Sequence, residues 1–327
     1  MARVLVTGGA GYVGSHACKA LAEAGHEPVV FDNFRTGHPG AVQFGPLVEG
    51  DLLDAEALEA AFREHAPQAV LHFAALSDVG ESVRMPGAYW RNNLVGTLNL
   101  CEAAMAHGVD KLVFSSTCAI FGEMHGAALT EDAPGLPVNV YGQTKLAVEQ
   151  MLAGLGAAHG LHSVAFRYFN AAGADPSARI GEDHRPETHL IPLVLDAADG
   201  RRDGITVFGA DYPTPDGTCI RDYIHVCDLA EAHVLGLDWL LQDGSSLALN
   251  LGSGTGHSVR QVIETAREVT GREIAVTEGE RRPGDAARLV SGSSRATEIL
   301  GWRPQRSGLA AMISDAWGWH RTGKYDS

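Results

Sequence analysis

The chain has 327 residues, 45% hydrophobic and 20% charged, enough apolar material for a large core, which excludes disorder as its main state. Its formal net charge of -15 argues against nucleic acid, which demands a positive face, and against an anionic membrane surface. Five cysteines without CxxC spacing argue against a disulfide scaffold or zinc ribbon and point to the cytoplasm. No run approaches the roughly 18 apolar residues of a membrane span. The first residues read as a strand, without the layout of a signal peptide.

Taken in chain order, Arg3–Thr7 is a short apolar run ending in glycines, and Tyr12–Ala24 has helical periodicity up to Gly25. Pro28–Asp32, Leu47–Glu49, Ala69–Phe73, Lys111–Ser116 and Ser163–Tyr168 read as further strands. Ala55–Glu64, Ala88–His107 and Val138–His159 read as helices between them. This alternation predicts an α/β fold with a doubly wound parallel sheet covered on both faces. The rhythm breaks at Ala171–His189, a polar loop rich in Gly, Pro and Asp, and again at Gly209–Thr218. Ile205–Phe208, Ile220–Val226 and Ala248–Leu251 then read as strands, and Cys227–Leu241 and Ser258–Thr270 as helices. Two units are expected: 1–170, with 218–254 returning to it, and a smaller mixed α/β lobe from 171–217 and 255–327.

The first turn, Thr7-Gly8-Gly9-Ala10-Gly11-Tyr12-Val13-Gly14, places glycines between a strand and a helix, where backbone N–H groups can approach a pyrophosphate. The second strand ends at Asp32, where a carboxylate can accept both ribose hydroxyls and repel a 2′-phosphate. This Rossmann-like pattern predicts NAD rather than NADP, with nearby Arg35 the one feature favouring NADP. Asp51, after the third strand, is a candidate for the adenine side.

Tyr141 and Lys145 are spaced i, i+4 and share one helical face. A phenol that works as a base near neutral pH requires positive charge nearby. Lysine is scarce here (Lys19, Lys111, Lys145 and Lys324), and Lys145 occupies the slot that would supply it. Ser115-Ser116-Thr117 ends the fifth strand at the carboxyl edge of the sheet, where Thr117 can hydrogen-bond a substrate hydroxyl and pass its proton to Tyr141. No metal site is expected. His184 with His189 is the nearest approach to a ligand pair and reads as two loop histidines.

These residues resemble the extended short-chain dehydrogenase/reductase family, and within it the UDP-glucose (UDP-galactose) 4-epimerases. The resemblance runs over nearly the whole chain. It includes Asp32-Asn33, His72-Phe73-Ala74-Ala75, Asn92-Asn93 and Arg167-Tyr168-Phe169-Asn170. Its most specific parts are Phe208-Gly209-Ala210-Asp211-Tyr212-Pro213-Thr214, Arg221-Asp222-Tyr223-Ile224-His225-Val226 and Arg281-Arg282-Pro283-Gly284-Asp285.

The resemblance implies catalytic roles for Tyr141, Lys145 and Thr117. It implies NAD contacts from Gly8, Gly11, Tyr12, Val13, Gly14, Asp32, Asn33, Asp51, Leu52, Phe73, Ala74, Ala75, Asn92, Ser115, Tyr141, Lys145 and Phe169. For a UDP-sugar it implies Thr117, Tyr141, Asn170, His189, Leu190, Phe208, Arg221, Arg282, Asp285 and Leu289. Arginines suit the pyrophosphate of UDP because they give rigid, bidentate donors. Ser77 stands where the family often has lysine, and Thr188-His189-Leu190 where many members have Asn-Asn-Leu. Leu289 falls where bulky and small residues alternate beside the sugar's 2-substituent.

The implied reaction inverts C4 of a UDP-hexose by transient oxidation to a 4-keto sugar and return of the hydride to the other face. An N-acetylhexosamine or pentose remains open as the sugar. A nucleotide-sugar dehydratase is disfavoured, because Thr117 is followed by Cys118-Ala119-Ile120 without the carboxylate that elimination requires. A non-catalytic NAD sensor would not need Tyr141, Lys145 or the arginines. The helices Ala88–His107 and Val138–His159 are the candidates for a homodimer interface, by analogy with the fold.

Overall fold

The computed structural model describes residues 1–122, 128–282, 285–322 and 325; Pro283 and Gly284, part of the last motif, lie outside them. The chain opens with β1 (Arg3–Thr7), β2 (Glu27–Asp32), β3 (Leu47–Glu49), β4 (Ala69–His72), β5 (Lys111–Ser115) and β6 (His162–Tyr168). β7 (Asn170–Ala172), β8 (Ile205–Phe208) and β9 (Ile220–His225) lie elsewhere, and β10 (Leu247–Leu251) rejoins the first six. The result is a seven-stranded sheet in the order β10-β6-β5-β4-β1-β2-β3, with every pairing parallel. Val4, Leu5 and Val6 of β1 and Leu112, Val113 and Phe114 of β5 are all buried. Such continuous apolar runs are what a parallel sheet covered on both faces requires.

Each face of the sheet has its own core. On one side Ala17 and Leu21 of the helix Tyr12–Glu23 pack with Leu229, Leu237 and Leu240 of the helix Val226–Leu241, over Val6, Val113 and Phe166. On the other, Leu58 and Phe62 of Ala55–His65, Leu100 of Gly96–Ala106, and Val148 and Leu152 of Val140–His159 cover Leu5, Val70 and Phe114. Local chemistry fixes the helix starts. Asp54 accepts the N–H groups of Glu56 and Ala57, and Asn139 accepts that of Gly142, so Tyr141 stands in the first turn of its helix.

The smaller part of the molecule carries β7, β9, β11 (Gly256–Ser258) and β13 (Arg288–Leu289) in one mixed sheet, and β8 with β12 (Val276–Gly279) in a parallel pair. Its core joins Ile191, Val194 and Leu195 to Val262, Ile263, Met312 and Ile313. Asp222, fully buried on β9, accepts N–H groups from Ser253, Gly254 and Ser291 and so ties three segments together. The helices Leu190–Ala198, Arg295–Leu300 and Leu309–Thr322 and the strands β7, β11, β12 and β13 are not among the elements expected from sequence.

The expected single helix Ala88–His107 is corrected. It divides into Pro86–Tyr89, a π-helical stretch Trp90–Val95, and Gly96–Ala106. Asn93 explains the break: its side chain accepts from Leu76 N (2.8 Å) and donates to Leu76 O (3.0 Å), which draws the wide turn toward the loop after β4. Ala171–His189 is likewise not loop throughout, because its first residues complete β7.

Candidate active site

The order of the sheet reverses between β1 and β4, and a cleft of 420 Å³ opens at the carboxyl ends of these strands. The chain crosses there very closely. Phe73 N and Ala74 N both donate to Thr7 O, at 2.9 and 3.1 Å. Gly8 has a φ of 73°, and a Cβ on it would lie 2.6 Å from Ala74 N. A Cβ on Gly14 would lie 2.1 Å from Gly8 O, so the helix Tyr12–Glu23 can approach the strand only through glycine. The cradle therefore has its helix N-terminus and backbone donors free of side-chain cover, as a pyrophosphate requires.

Asp32 ends β2 and is only 8% exposed. Its Oδ2 accepts from Ala10 N and its Oδ1 from Phe34 N, both at 2.9 Å, which fixes the carboxylate while lone pairs remain for ribose hydroxyls. Burial pushes its pKa up, and the backbone hydrogen bonds oppose that. Asn33 donates to Asp51 Oδ2 at 2.8 Å, joining the two residues expected on the adenine side. Arg35 also lines the cleft but is exposed.

At the other end of the cleft stand Ser115, Thr117, Tyr141 and Lys145. Lys145 is 3% exposed; its Nζ donates to Ser115 O at 2.7 Å and lies 4.7 Å from the Phe114 ring centre and 5.9 Å from that of Tyr141. Burial lowers its pKa from 10.5 to about 7, with Glu149 acting in the opposite direction. Burial and the neighbouring Tyr168 push the Tyr141 phenol upward, against a hydrogen bond with Thr117. Thus burial pushes each partner toward its neutral form. The expected lowering of the Tyr141 phenol rests on Lys145 together with an oxidised nicotinamide ring, and burial is the effect both would have to offset.

All the residues expected to hold the cofactor line this one cleft, as do Asn170 and His189. The remaining substrate candidates do not. Leu190, Phe208, Arg221, Arg282, Asp285 and Leu289 belong to the smaller part of the molecule. Arg221 and Leu289 face one another in register across β9 and β13. Arg221 donates to Ala286 O at 2.8 Å and reaches Asp285 at 3.4 Å, and the Arg282 guanidinium lies 4.0 Å from the centre of the Phe208 ring. Leu289 packs with Ile120, Phe121, Leu129 and Phe169, which connects it to the cleft wall through Phe169.

The model of the NAD dependent epimerase/dehydratase family matches residues 4–252. The chain belongs to this family. It is 51% identical over 317 residues to the UDP-glucose 4-epimerase of Rhizobium meliloti (strain 1021), covering 97% of this chain and 96% of that one. The crystal structure of UDP-glucose 4-epimerase from Brucella ovis in complex with NAD superposes with a TM-score of 0.95 at 47% identity, over 98% of this chain and 99% of that chain. The UDP-glucose 4-epimerase from Bifidobacterium longum in complex with NAD+ and UDP gives 0.92 at 36% identity, over 98% of each chain.

Several residues around this epimerase-family cleft escape a reading by motif. Glu149 sits four residues beyond Lys145 and is held by Arg167 (Oε2 to Nη2, 2.6 Å) and by Ser116. Among the described residues its charge supports the ammonium form of Lys145. The i, i+4 spacing was the available signal. His72 bridges Thr7 and Thr97 beneath the cradle, at 2.6 and 2.8 Å, and burial lowers its pKa to about 3. Glu182 and His184 line the cleft from the long loop, where nothing in their spacing announced it.

Proposed function

We infer that the chain is an NAD-dependent isomerase that inverts C4 of a UDP-hexose, interconverting UDP-glucose and UDP-galactose. The observation that carries this reading is the convergence, in one cleft, of the glycine cradle and Asp32 at one end with Thr117, Tyr141 and Lys145 at the other. The cradle and the fixed carboxylate fit NAD. When bound, NAD supplies the acceptor and returning donor of the C4 hydride and, oxidised, a positive ring that favours the phenolate. The N-terminus of the helix Tyr12–Glu23 holds the pyrophosphate, and Asp32 takes the adenosine ribose hydroxyls. Lys145 orients the second ribose and stabilises Tyr141 when it is ionised. Tyr141 Oη takes the proton from the C4 hydroxyl, directly or through Thr117 Oγ1, and gives it back after the sugar turns.

Asn170, His189, Leu190, Phe208, Arg221, Arg282 and Asp285 anchor the UDP portion, and Leu289 borders C2 of the sugar. Anchoring the nucleotide while leaving the sugar loose is what lets one centre be attacked from two faces. On this reading 1–170 with 226–254 is the cofactor unit and 171–225 with 255–327 the substrate lobe, the return expected at 218 falling instead after β9, which pairs with β7, β11 and β13. We place the enzyme in the cytoplasm as a homodimer, the interface formed by the segments around Val95 and Val138, which are 44% and 59% exposed; sedimentation equilibrium checks the mass.

The decisive experiment follows the C4 hydrogen. Substrate deuterated at C4 should give product that keeps the label, and turnover in heavy water should leave C4 unlabelled. Solvent deuterium at C4 would refute the reaction. Tight retention of NAD through gel filtration, with no requirement for added NADH, is expected alongside.

A further inference from the structure

The segment between β7 and the helix Leu190–Ala198 brings two carboxylates and two imidazoles together, outside the residues assigned to catalysis. His189 Nδ1 lies 2.8 Å from Glu182 Oε1 and 3.0 Å from Glu187 Oε1. His184 Nδ1 lies 3.1 Å from the same Glu182 oxygen and 3.8 Å from Glu187 Oε2. All four ligand atoms fit within 4.8 Å of one another. Four ligands held tetrahedrally at about 2.0–2.2 Å from a zinc ion stand roughly 3.3–3.6 Å apart; Glu182 Oε1 lies 2.8 and 3.1 Å from the two imidazole nitrogens, so an ion would only have to draw these pairs slightly apart. Hydrogen bonding alone would be met by one imidazole on each carboxylate; it does not require both Nδ1 atoms to converge on the same pair of acids.

Location supplies a second argument. Glu182, His184 and His189 line the cleft beside Tyr12, at the mouth of the cradle built for an anionic pyrophosphate. The Glu182 carboxylate there, in a chain of net charge -15, opposes that ligand, and a cation held by the cluster would offset it. The donor set selects among cations. Magnesium and calcium prefer oxygen alone, whereas two imidazole nitrogens with two carboxylates suit zinc. Four protein ligands also make a closed, structural site rather than one that holds a reactive water.

We propose that Glu182, His184, Glu187 and His189 bind one zinc ion, which clamps the segment 173–189 against the mouth of the cofactor cleft. Each imidazole would release its Nδ1 proton to solvent and bind through Nδ1, its Nε2 keeping a hydrogen, which in His189 stays free to donate to the UDP portion it anchors. The backbone is already positioned for this: Trp319 Nε1 donates to Glu182 O at 2.9 Å, and Glu187 Oε1 accepts from Thr188 N at 2.7 Å. The site does not depend on which sugar is turned over.

The test uses the NAD-bound enzyme, freed of metal by dialysis against a chelator and titrated with zinc chloride by calorimetry. One zinc per chain is expected, with at least a tenfold loss of affinity in His184→Gln and, separately, in Glu187→Gln. Both side chains are partly exposed, so these variants should fold, as circular dichroism will verify. Zinc should raise the thermal midpoint of the native chain and not of the variants. Cobalt(II) should give the intense visible bands of tetrahedral coordination. No uptake, uptake of equal strength in the native chain and both variants, or an octahedral cobalt spectrum would each overturn the proposal.

Discussion

The two ends of the substrate path are built on different principles. The cofactor end is backbone: a strand, a glycine turn and a carboxylate held by two N–H groups, all near one reversal of the sheet. The end proposed for the nucleotide-sugar is side chains. Arg221 is braced by Ala286 O and Asp285, and Arg282 is spread over Phe208, on strands and loops that do not belong to the main sheet. A backbone cradle has one geometry and tolerates no Cβ, whereas braced arginines keep spare donors and can follow a ligand. That contrast fits an enzyme that must keep one ligand fixed while the other's sugar turns.

The largest expected effect breaks the point where the two ends meet. Tyr141→Phe removes the proton acceptor and leaves the cradle and Asp32 intact. Turnover should fall on the order of 10²–10⁴-fold, while NAD still travels with the protein on gel filtration. Full activity would remove Tyr141 from its assigned role and leave the fold untouched.

Lys145→Met comes next and separates two consequences of one buried amine. Turnover should drop steeply, and NAD should be held less tightly. Stability carries a second signature. The folded pKa of Lys145 is lowered to about 7 from 10.5, so below pH 7 the buried charge costs the folded state its full penalty. As pH rises from about 7 to 10.5 the unfolded chain holds the extra proton, and native stability rises. Denaturant midpoints of the NAD-free native chain should therefore gain on those of Lys145→Met across this window. A constant gap between the two would show that Lys145 keeps its proton throughout.

The same contrast decides what could be read from sequence. Parallel strands covered on both faces are continuous apolar runs, so β1, β2, β4, β5 and β6 stood out, as did the cofactor residues on the loops after them. β7, β11, β12 and β13 are two to four residues long and partly exposed, too short for any period to register. The π-helical turn at Trp90–Val95 was invisible because it arises from a contact with Leu76, 17 residues away from Asn93. Glu182 and His184 reach the cleft only because the long loop folds back over Tyr12, a tertiary fact without a local signature.

Arg282→Ala probes the side-chain end. It removes a cation stacked on Phe208 and the donor proposed for the UDP pyrophosphate, a charged hydrogen bond worth roughly 1.5–3 kcal/mol. KM for the UDP-sugar should rise by about 10- to 100-fold, with a smaller change in kcat and no change in NAD retention. Loss of NAD in this variant would show that the two ends are not separate.

The smallest effect sharpens the comparison at the border between the ends. Leu289 is half-buried and packs against the cluster that contains Phe169, which lines the cleft; on the proposed function it borders the loosely held sugar. A leucine leaves room for an N-acetyl group, and measurable but lower activity on the N-acetyl sugars is expected beside UDP-glucose and UDP-galactose. Leu289→Tyr adds ring volume away from the cradle and Asp32. A steric gate of this kind discriminates by about 1–3 kcal/mol, so the ratio of kcat/KM for the hexose over the N-acetylhexosamine should increase by roughly tenfold or more. NAD retention and turnover of the plain hexose should stay near the native values. Equal losses on both sugars would mean that the ring disturbs Phe169 and the cofactor end instead, and that Leu289 belongs to the rigid wall rather than to the space in which the sugar turns.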